Sequence, residues 1–221
     1  MGEIIELQAE DGHKLAAYQA GPEGAAKGGL VVIQEIFGVN SHIRDVCDRF
    51  AGAGYAAIAP AMFDRVKKDV DLGYDEEGIA AGRELMAKLD WDSGLMDVAA
   101  AAQVLRPDGK IGVVGYCWGG SVAWLAACRM DIDAAVGYYG GQIPNFVDET
   151  PRCPVMLHFG ETDASIPLEG VDAVRAAHPD IPVFTYPAGH GFSCDQRASF
   201  HAESARRALV HTLDFFSEKL A

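Results

Sequence analysis

The stretch from Lys110 to Arg129 constrains the fold of this chain more than any other. It opens with the apolar run Ile111-Gly112-Val113-Val114, passes through Gly115-Tyr116-Cys117-Trp118-Gly119-Gly120, and continues as a helical segment over Val122 to Arg129. An apolar run of this length marks a strand buried on both faces. The turn that follows has the pattern Gly-x-Cys-x-Gly of a nucleophile elbow, with cysteine in the reacting position. Its glycines have a steric cause. The central residue sits in a strained backbone conformation, and side chains two residues to either side would crowd the turn. The helix N-terminus behind Cys117 favours negative charge, which suits both a thiolate and a developing oxyanion. Ile111 to Cys128 carries no charge over 18 residues, the lower edge of a membrane span. Its glycines at 112, 115, 119 and 120 divide it into strand, turn and helix instead.

The remaining chain alternates in the same manner. Glu3 to Ala9 and Lys14 to Gln19, joined by Asp11-Gly12, form a leading hairpin. Further strands are expected at Leu30–Ile33, Gly54–Pro60, Ala134–Tyr139, Pro154–Phe159 and Val183–Tyr186. Helices are expected at Ser41–Ala53 with Ser41 as N-cap, Glu76–Leu89, Asp92–Leu105, Leu168–Ala177 and Arg197–Leu220, with Met62–Gly73 as loop. No repeat or linker divides the chain, so residues 1–221 read as one domain. Strands alternating with helices imply an α/β fold, with a mostly parallel sheet flanked by helices on both faces. Reactive groups in such sheets gather at the carboxyl ends of the strands.

Three further segments follow strands and carry chemistry. Gly160-Glu161-Thr162-Asp163 supplies a carboxylate able to orient an imidazole, and Gly189-His190-Gly191-Phe192 supplies the imidazole. The order nucleophile, acid, histidine is that of α/β-hydrolases, not of the chymotrypsin or subtilisin arrangements. An aspartate in a turn is commonly a cap, and a histidine after a strand is commonly structural. It is the conjunction of order and placement that singles out Asp163 and His190. Gln34-Glu35-Ile36-Phe37-Gly38 ends the Leu30–Ile33 strand. The loop after that strand supplies the second oxyanion donor in this fold, here the Ile36 N–H beside that of Trp118. Glu35 is either a solvated strand-end carboxylate or a group beside the thiol, disfavouring thiolate or taking its proton. Phe37, Trp118 and Tyr138 are candidates for an apolar substrate-pocket wall.

Composition narrows the function. The 18 basic and 32 acidic side chains give a net charge of −14, which repels phosphate backbones and anionic headgroups and argues against nucleic-acid and membrane-surface partners. The five cysteines form no CxxC clip, and no histidine pair has helical metal-ligand spacing, so neither a metal centre nor a cofactor is expected. No G-x-G-x-x-G or P-loop pattern follows an early strand. Met1-Gly2-Glu3 leads straight into a strand pattern without a secretory signal, and the free thiols fit a cytoplasmic setting. Cys47, Cys128 and Cys153 lack the context of Cys117 and read as small buried hydrophobes. Other readings of the scaffold are a non-catalytic binding protein, or a thiol-redox protein with Cys194 as resolving partner.

With these residues in place, the chain resembles the dienelactone hydrolase (carboxymethylenebutenolidase) family. The likeness runs through Gln34 to Asn40, Gly54-Tyr55-Ala56, Gly115 to Gly120, Val136 to Gly140, Gly160 to Asp163 and Gly189 to Phe192, from about Ile4 to the last helix. It implies an α/β-hydrolase fold, hydrolysis of an ester or enol-lactone small molecule, and a monomer. It also implies a triad of Cys117 as nucleophile, His190 as base and Asp163 as its orienter. Glu35 resembles the glutamate that holds the resting thiol and accepts its proton, and Ile36 and Trp118 resemble the oxyanion donors. The family's two carboxylate-binding arginines are not matched by motif. One precedes the helix starting near Glu76, where this chain has Asp75-Glu76-Glu77-Gly78-Ile79, and the other lies where it has Cys194. Arg83 and Arg197 are near in sequence without aligning.

Overall fold

Eight strands form one sheet in the order β1-β2-β4-β3-β5-β6-β7-β8 in the computed structural model, which describes residues 2–221. Met1, the first residue of the expected leaderless start, lies outside the described residues. The strands are β1 Glu3–Gln8, β2 Lys14–Ala20, β3 Gly29–Ile33, β4 Ala56–Pro60, β5 Ile111–Tyr116, β6 Ala134–Tyr138, β7 Val155–Gly160 and β8 Val183–Tyr186. The leading hairpin β1–β2 is antiparallel and joins β4 antiparallel; every other pairing is parallel. Every residue of β3, β4, β5, β6 and β7 is buried, whereas β1 and β8 at the rims are partly exposed. That is the burial expected of continuous apolar runs covered on both faces.

The helices are α1 Ser41–Gly52, α2 Glu76–Met86, α3 Trp91–Leu105, α4 Trp118–Arg129, α5 Leu168–Ala177 and α6 Ala202–Lys219. α1 meets α6 through Phe50 and Phe216 on one face. On the other face α3 packs beside α4, and Trp124 of α4 meets His178 at the end of α5. Caps refine the expected boundaries. Asn40, not Ser41, caps α1, its side chain accepting from the Ile43 N–H. Asp75 and Asp90 cap α2 and α3 in the same way. The last helix starts at Ala202 rather than near Arg197, because the His201 side chain caps it by accepting from Ser204. The expected loop after β4 begins with a short 3-10 turn at Met62–Arg65, whose Met62 and Phe63 are buried.

The uncharged stretch from Ile111 to Cys128 is β5 followed by most of α4. Among the described residues no helix is long and apolar enough to cross a membrane.

The register sets up the functional edge. Ile33 pairs with Gly115, Tyr116 with Tyr138, Tyr138 with His158, and Gly160 with Tyr186, so the carboxyl ends of these strands are level. From β3 the chain crosses to β4 on one side, whereas β5 to β8 step away on the other. The crevice where the order reverses, between β3 and β5, is where open α/β sheets place ligands.

Candidate active site

At the end of β5 the backbone turns sharply at Cys117, with φ 55° and ψ −119°. A non-glycine residue held there carries strain of about 1–3 kcal/mol. The surroundings hold it in place. The Cys117 N–H donates to the Tyr138 carbonyl at 3.0 Å, and the Gly120 N–H donates to the Cys117 carbonyl at 2.9 Å. A Cβ on Gly115 would collide with the Gly119 carbonyl, and one on Gly119 with the Gln34 carbonyl. The elbow glycines are thus fixed by close backbone approach, as the sequence pattern implies.

The structure brings Cys117, His190 and Asp163 into one chain of contacts. His190 Nε2 lies 3.1 Å from Cys117 Sγ, and His190 Nδ1 lies 2.7 Å from Asp163 Oδ2. The other carboxylate oxygen of Asp163 accepts the Ser165 N–H at 2.8 Å. The loops bearing Asp163 and His190 are stitched together by the Thr162 N–H donating to the Ala188 carbonyl. Gly160 makes that approach possible, since a Cβ there would meet the same carbonyl. Burial opposes charge on the imidazole. The hydrogen bonds to Asp163 and Cys117 outweigh it and carry His190 from 6.5 up to about 10.

The loop after β3 sits beside the elbow. Gln34 anchors it by accepting the Met62 N–H at 3.2 Å. Glu35 is fully buried, so it is not a solvated strand-end carboxylate. Its side chain makes no hydrogen bond to Cys117. Arg197 Nη1 donates to Oε1 at 3.0 Å and the Tyr74 hydroxyl donates to Oε2 at 3.1 Å. Asn40 Nδ2 in turn donates to the Tyr74 oxygen at 3.1 Å. The Arg197 guanidinium lies over the rings of Phe37 and Tyr74, 5.6 and 5.4 Å from their centroids. Burial works against its charge, but the adjacent Glu35 carboxylate holds it firmly protonated.

A cavity of about 260 Å3 opens over the thiol, lined by Ile36, Phe37, Cys117, Trp118 and His190 among others. Ile79, Met86 and Arg83 of α2 and Arg197 also line it, as do the polar side chains of Ser121, Gln142 and Ser165. A larger cleft of about 660 Å3 opens along Val155, Met156, Ile181 and Phe184, but no nucleophile there touches a base. Chemistry therefore selects the smaller cavity. Tyr138 does not line it. The ring is buried against Tyr116 and its hydroxyl shares a 2.6 Å hydrogen bond with Thr212, because its side chain points into the sheet-to-α6 layer rather than over the strand ends.

Sequence reasoning missed Tyr74 and gave Arg83 and Arg197 no place. Tyr74 sits in the irregular segment before α2, tied to the β3 loop by the Leu72 N–H donating to the Phe37 carbonyl. Gly38, with φ 81° and the Val70 carbonyl where a Cβ would stand, is the local signal of that close approach.

The sheet order, the strained turn before α4 and the level strand ends define an α/β-hydrolase. The chain matches the profile of the dienelactone hydrolase family over residues 15–220, and it belongs to that family, among hydrolases of carboxylic esters and lactones. A carboxymethylenebutenolidase from Pseudomonas putida is 32% identical, over 97% of this chain and 96% of its own. A Synechocystis sp. protein provisionally assigned as a carboxymethylenebutenolidase is 38% identical over 94% and 93%. A crystal structure from Klebsiella pneumoniae, provisionally assigned as a dienelactone hydrolase, superposes with a TM-score of 0.84 at 31% identity, covering 99% of each chain.

Proposed function

We propose that this hydrolase works through Cys117, His190 and Asp163 by way of an acyl-enzyme. The observation that carries the reading is the unbroken chain from Cys117 Sγ through both nitrogens of His190 to the buried Asp163 carboxylate. His190 holds the proton drawn from the thiol, and Asp163 orients the imidazole and stabilises the imidazolium so formed. The thiolate attacks the substrate carbonyl. The oxyanion that forms is met by the N–H groups of Ile36 and Trp118, fixed in a desolvated wall before the reaction starts. Collapse of the tetrahedral species breaks the acyl–oxygen bond, and His190 returns its proton to the departing oxygen. Water, deprotonated by the same imidazole, then hydrolyses the thioester and restores the thiol. In a lactone the leaving oxygen stays tethered to the acyl group until hydrolysis releases the opened hydroxy acid.

Glu35 enters this scheme through its partners. Both of its oxygens are engaged, by Arg197 and Tyr74, so the thiol proton goes to His190 while these contacts hold. Should a substrate anion draw Arg197 away, Glu35 is released as a second acceptor for that proton. Exposed Arg83 and largely buried Arg197 both line the small cavity and supply positive charge to it. That arrangement favours a small ester or lactone bearing a carboxylate, with Phe37 and Trp118 against its carbon skeleton.

The test is hydrolysis of a panel of p-nitrophenyl acetate and lactones, dienelactone included, by wild type and Cys117→Ala. Turnover by wild type with a loss of at least ~10^3-fold in the variant is expected. Equal activity of the two proteins would remove Cys117 from the mechanism.

A further inference from the structure

One buried cluster takes no part in the Cys117–His190–Asp163 chain. Cys194 and His42 are fully buried, and a ligand atom from each lies within 4.8 Å of the other and of a Glu35 carboxylate oxygen. The His42 ring is the anomaly. Neither of its nitrogens makes a hydrogen bond, although both are shielded from solvent. A buried imidazole left in that state forfeits about 1–3 kcal/mol, so such a group calls for an unseen partner. On one side Nδ1 lies 3.5 Å from Asp195 Oδ1, at the half-exposed rim. Nε2 has no polar neighbour of the protein to bond.

We propose that Glu35, His42 and Cys194 form a buried site for one thiophilic divalent cation, with Zn2+ the natural occupant. The donor set is one thiolate, one imidazole and one carboxylate, which is zinc chemistry rather than magnesium or calcium chemistry. Tetrahedral zinc places its ligand atoms roughly 3.5 Å apart, so the side chains close on the ion by about 1 Å. The neutral imidazole is the form that ligates, and the Cys194 thiol gives its proton to solvent as the sulfur–metal bond forms. A water takes the fourth position. With Nε2 as the ligating nitrogen, Asp195, 3.5 Å from Nδ1, would steady the other side of the ring, and its exposed side marks the way in. Glu35 retains a second lone pair on each oxygen beside its bonds to Arg197 and Tyr74. The net charge of the two anionic ligands and Arg197 is −1, which suits a dication.

The site is tested by cobalt titration of chelator-treated Cys117→Ala protein, which removes the partly exposed thiol of the neighbouring cavity and does not depend on any hydrolytic activity. The expected result is a thiolate-to-cobalt charge-transfer band that saturates at one equivalent and is bleached by zinc. Adding Cys194→Ser should abolish the band, and adding His42→Gln should weaken cobalt binding by at least ~10-fold. X-ray absorption of the zinc-loaded Cys117→Ala protein needs no further variant, and should show one sulfur together with imidazole and oxygen ligands. No band in Cys117→Ala, a band that survives Cys194→Ser, or a shell with no sulfur or several sulfurs would overturn the proposal. The first of these outcomes would leave His42 bonded to buried water alone.

Discussion

Replacing Asp163 by asparagine tests the chain of contacts at its most informative point. Oδ2 of Asp163 lies 2.7 Å from His190 Nδ1, and burial works against the imidazolium that this carboxylate and Cys117 together stabilise, holding His190 near 10 instead of 6.5. At 1.36 kcal/mol per tenfold change in affinity for the proton, that is on the order of 5 kcal/mol, supplied jointly by the Asp163 carboxylate and Cys117 against the cost of burial. The folded value lies above the unfolded one. The stabilisation is therefore complete below about pH 6.5 and is lost as pH rises from there through about 10. Asp163→Asn should lower stability by about 2–3 kcal/mol at pH 6, and the gap to wild type should narrow steadily toward pH 10. An amide at 163 also donates to Nδ1, which leaves the proton on Nε2 facing the thiol. Nε2 then cannot accept from sulfur, and kcat/KM should fall by ~10^3 to 10^4, or about 4–5 kcal/mol. The assays are chemical denaturation at a series of pH values and initial rates on the most reactive panel ester. A folded variant that loses less than tenfold in rate, with a stability gap independent of pH, would refute this account of His190.

Three further perturbations probe other layers of the structure. Gly82→Ala should reduce kcat by about 10- to 100-fold with KM little changed, because its Cβ would strike the Ile36 carbonyl and displace the proposed oxyanion donor; steady-state kinetics with a circular dichroism check of folding decides it. Arg197→Met strips Glu35 of its cation and leaves a fully buried carboxylate with Tyr74 as remaining donor, so denaturant titration should show a loss of about 3–5 kcal/mol. The same variant should raise KM for carboxylate-bearing esters at least ~10-fold, with p-nitrophenyl acetate changed far less. Thr212→Val cuts the buried bridge to the Tyr138 hydroxyl at 2.6 Å and to His158 Nε2 at 3.1 Å; calorimetry should show a loss of about 1–3 kcal/mol, with the rate constants of the active site preserved.

Much of the candidate site was legible in the chain because its parts are local. Strand, glycine-flanked turn and helix lie within twenty residues around Cys117, and the steric need for Gly115 and Gly119 is written in their neighbours. Asp163 and His190 were readable because each follows an apolar strand, and parallel strands in register bring their carboxyl ends level. Phe37, Ile36 and Trp118 followed from the same placement. Tyr138 did not. It ends β6 as Tyr116 ends β5, and alternation alone could not say that its ring turns toward Thr212 of α6, 74 residues away. The start of α6 was missed for a similar reason: helix-compatible residues from Arg197 onward are drawn instead into the turns that place Arg197 against Glu35.

The sequence by itself determined the alternating α/β order, the elbow and the placement of Cys117, Asp163 and His190 after successive strands, since these rest on steric rules and periodicities that act between near neighbours. The tertiary structure alone decided what surrounds them. Arg197 reaches Glu35 across 162 residues and Tyr74 reaches it across 39, while His42 and Cys194 meet the same carboxylate from α1 and the loop before α6. Contacts of that span leave no local pattern, because their partners are chosen by how the sheet twists and which loops the strand order brings to one edge.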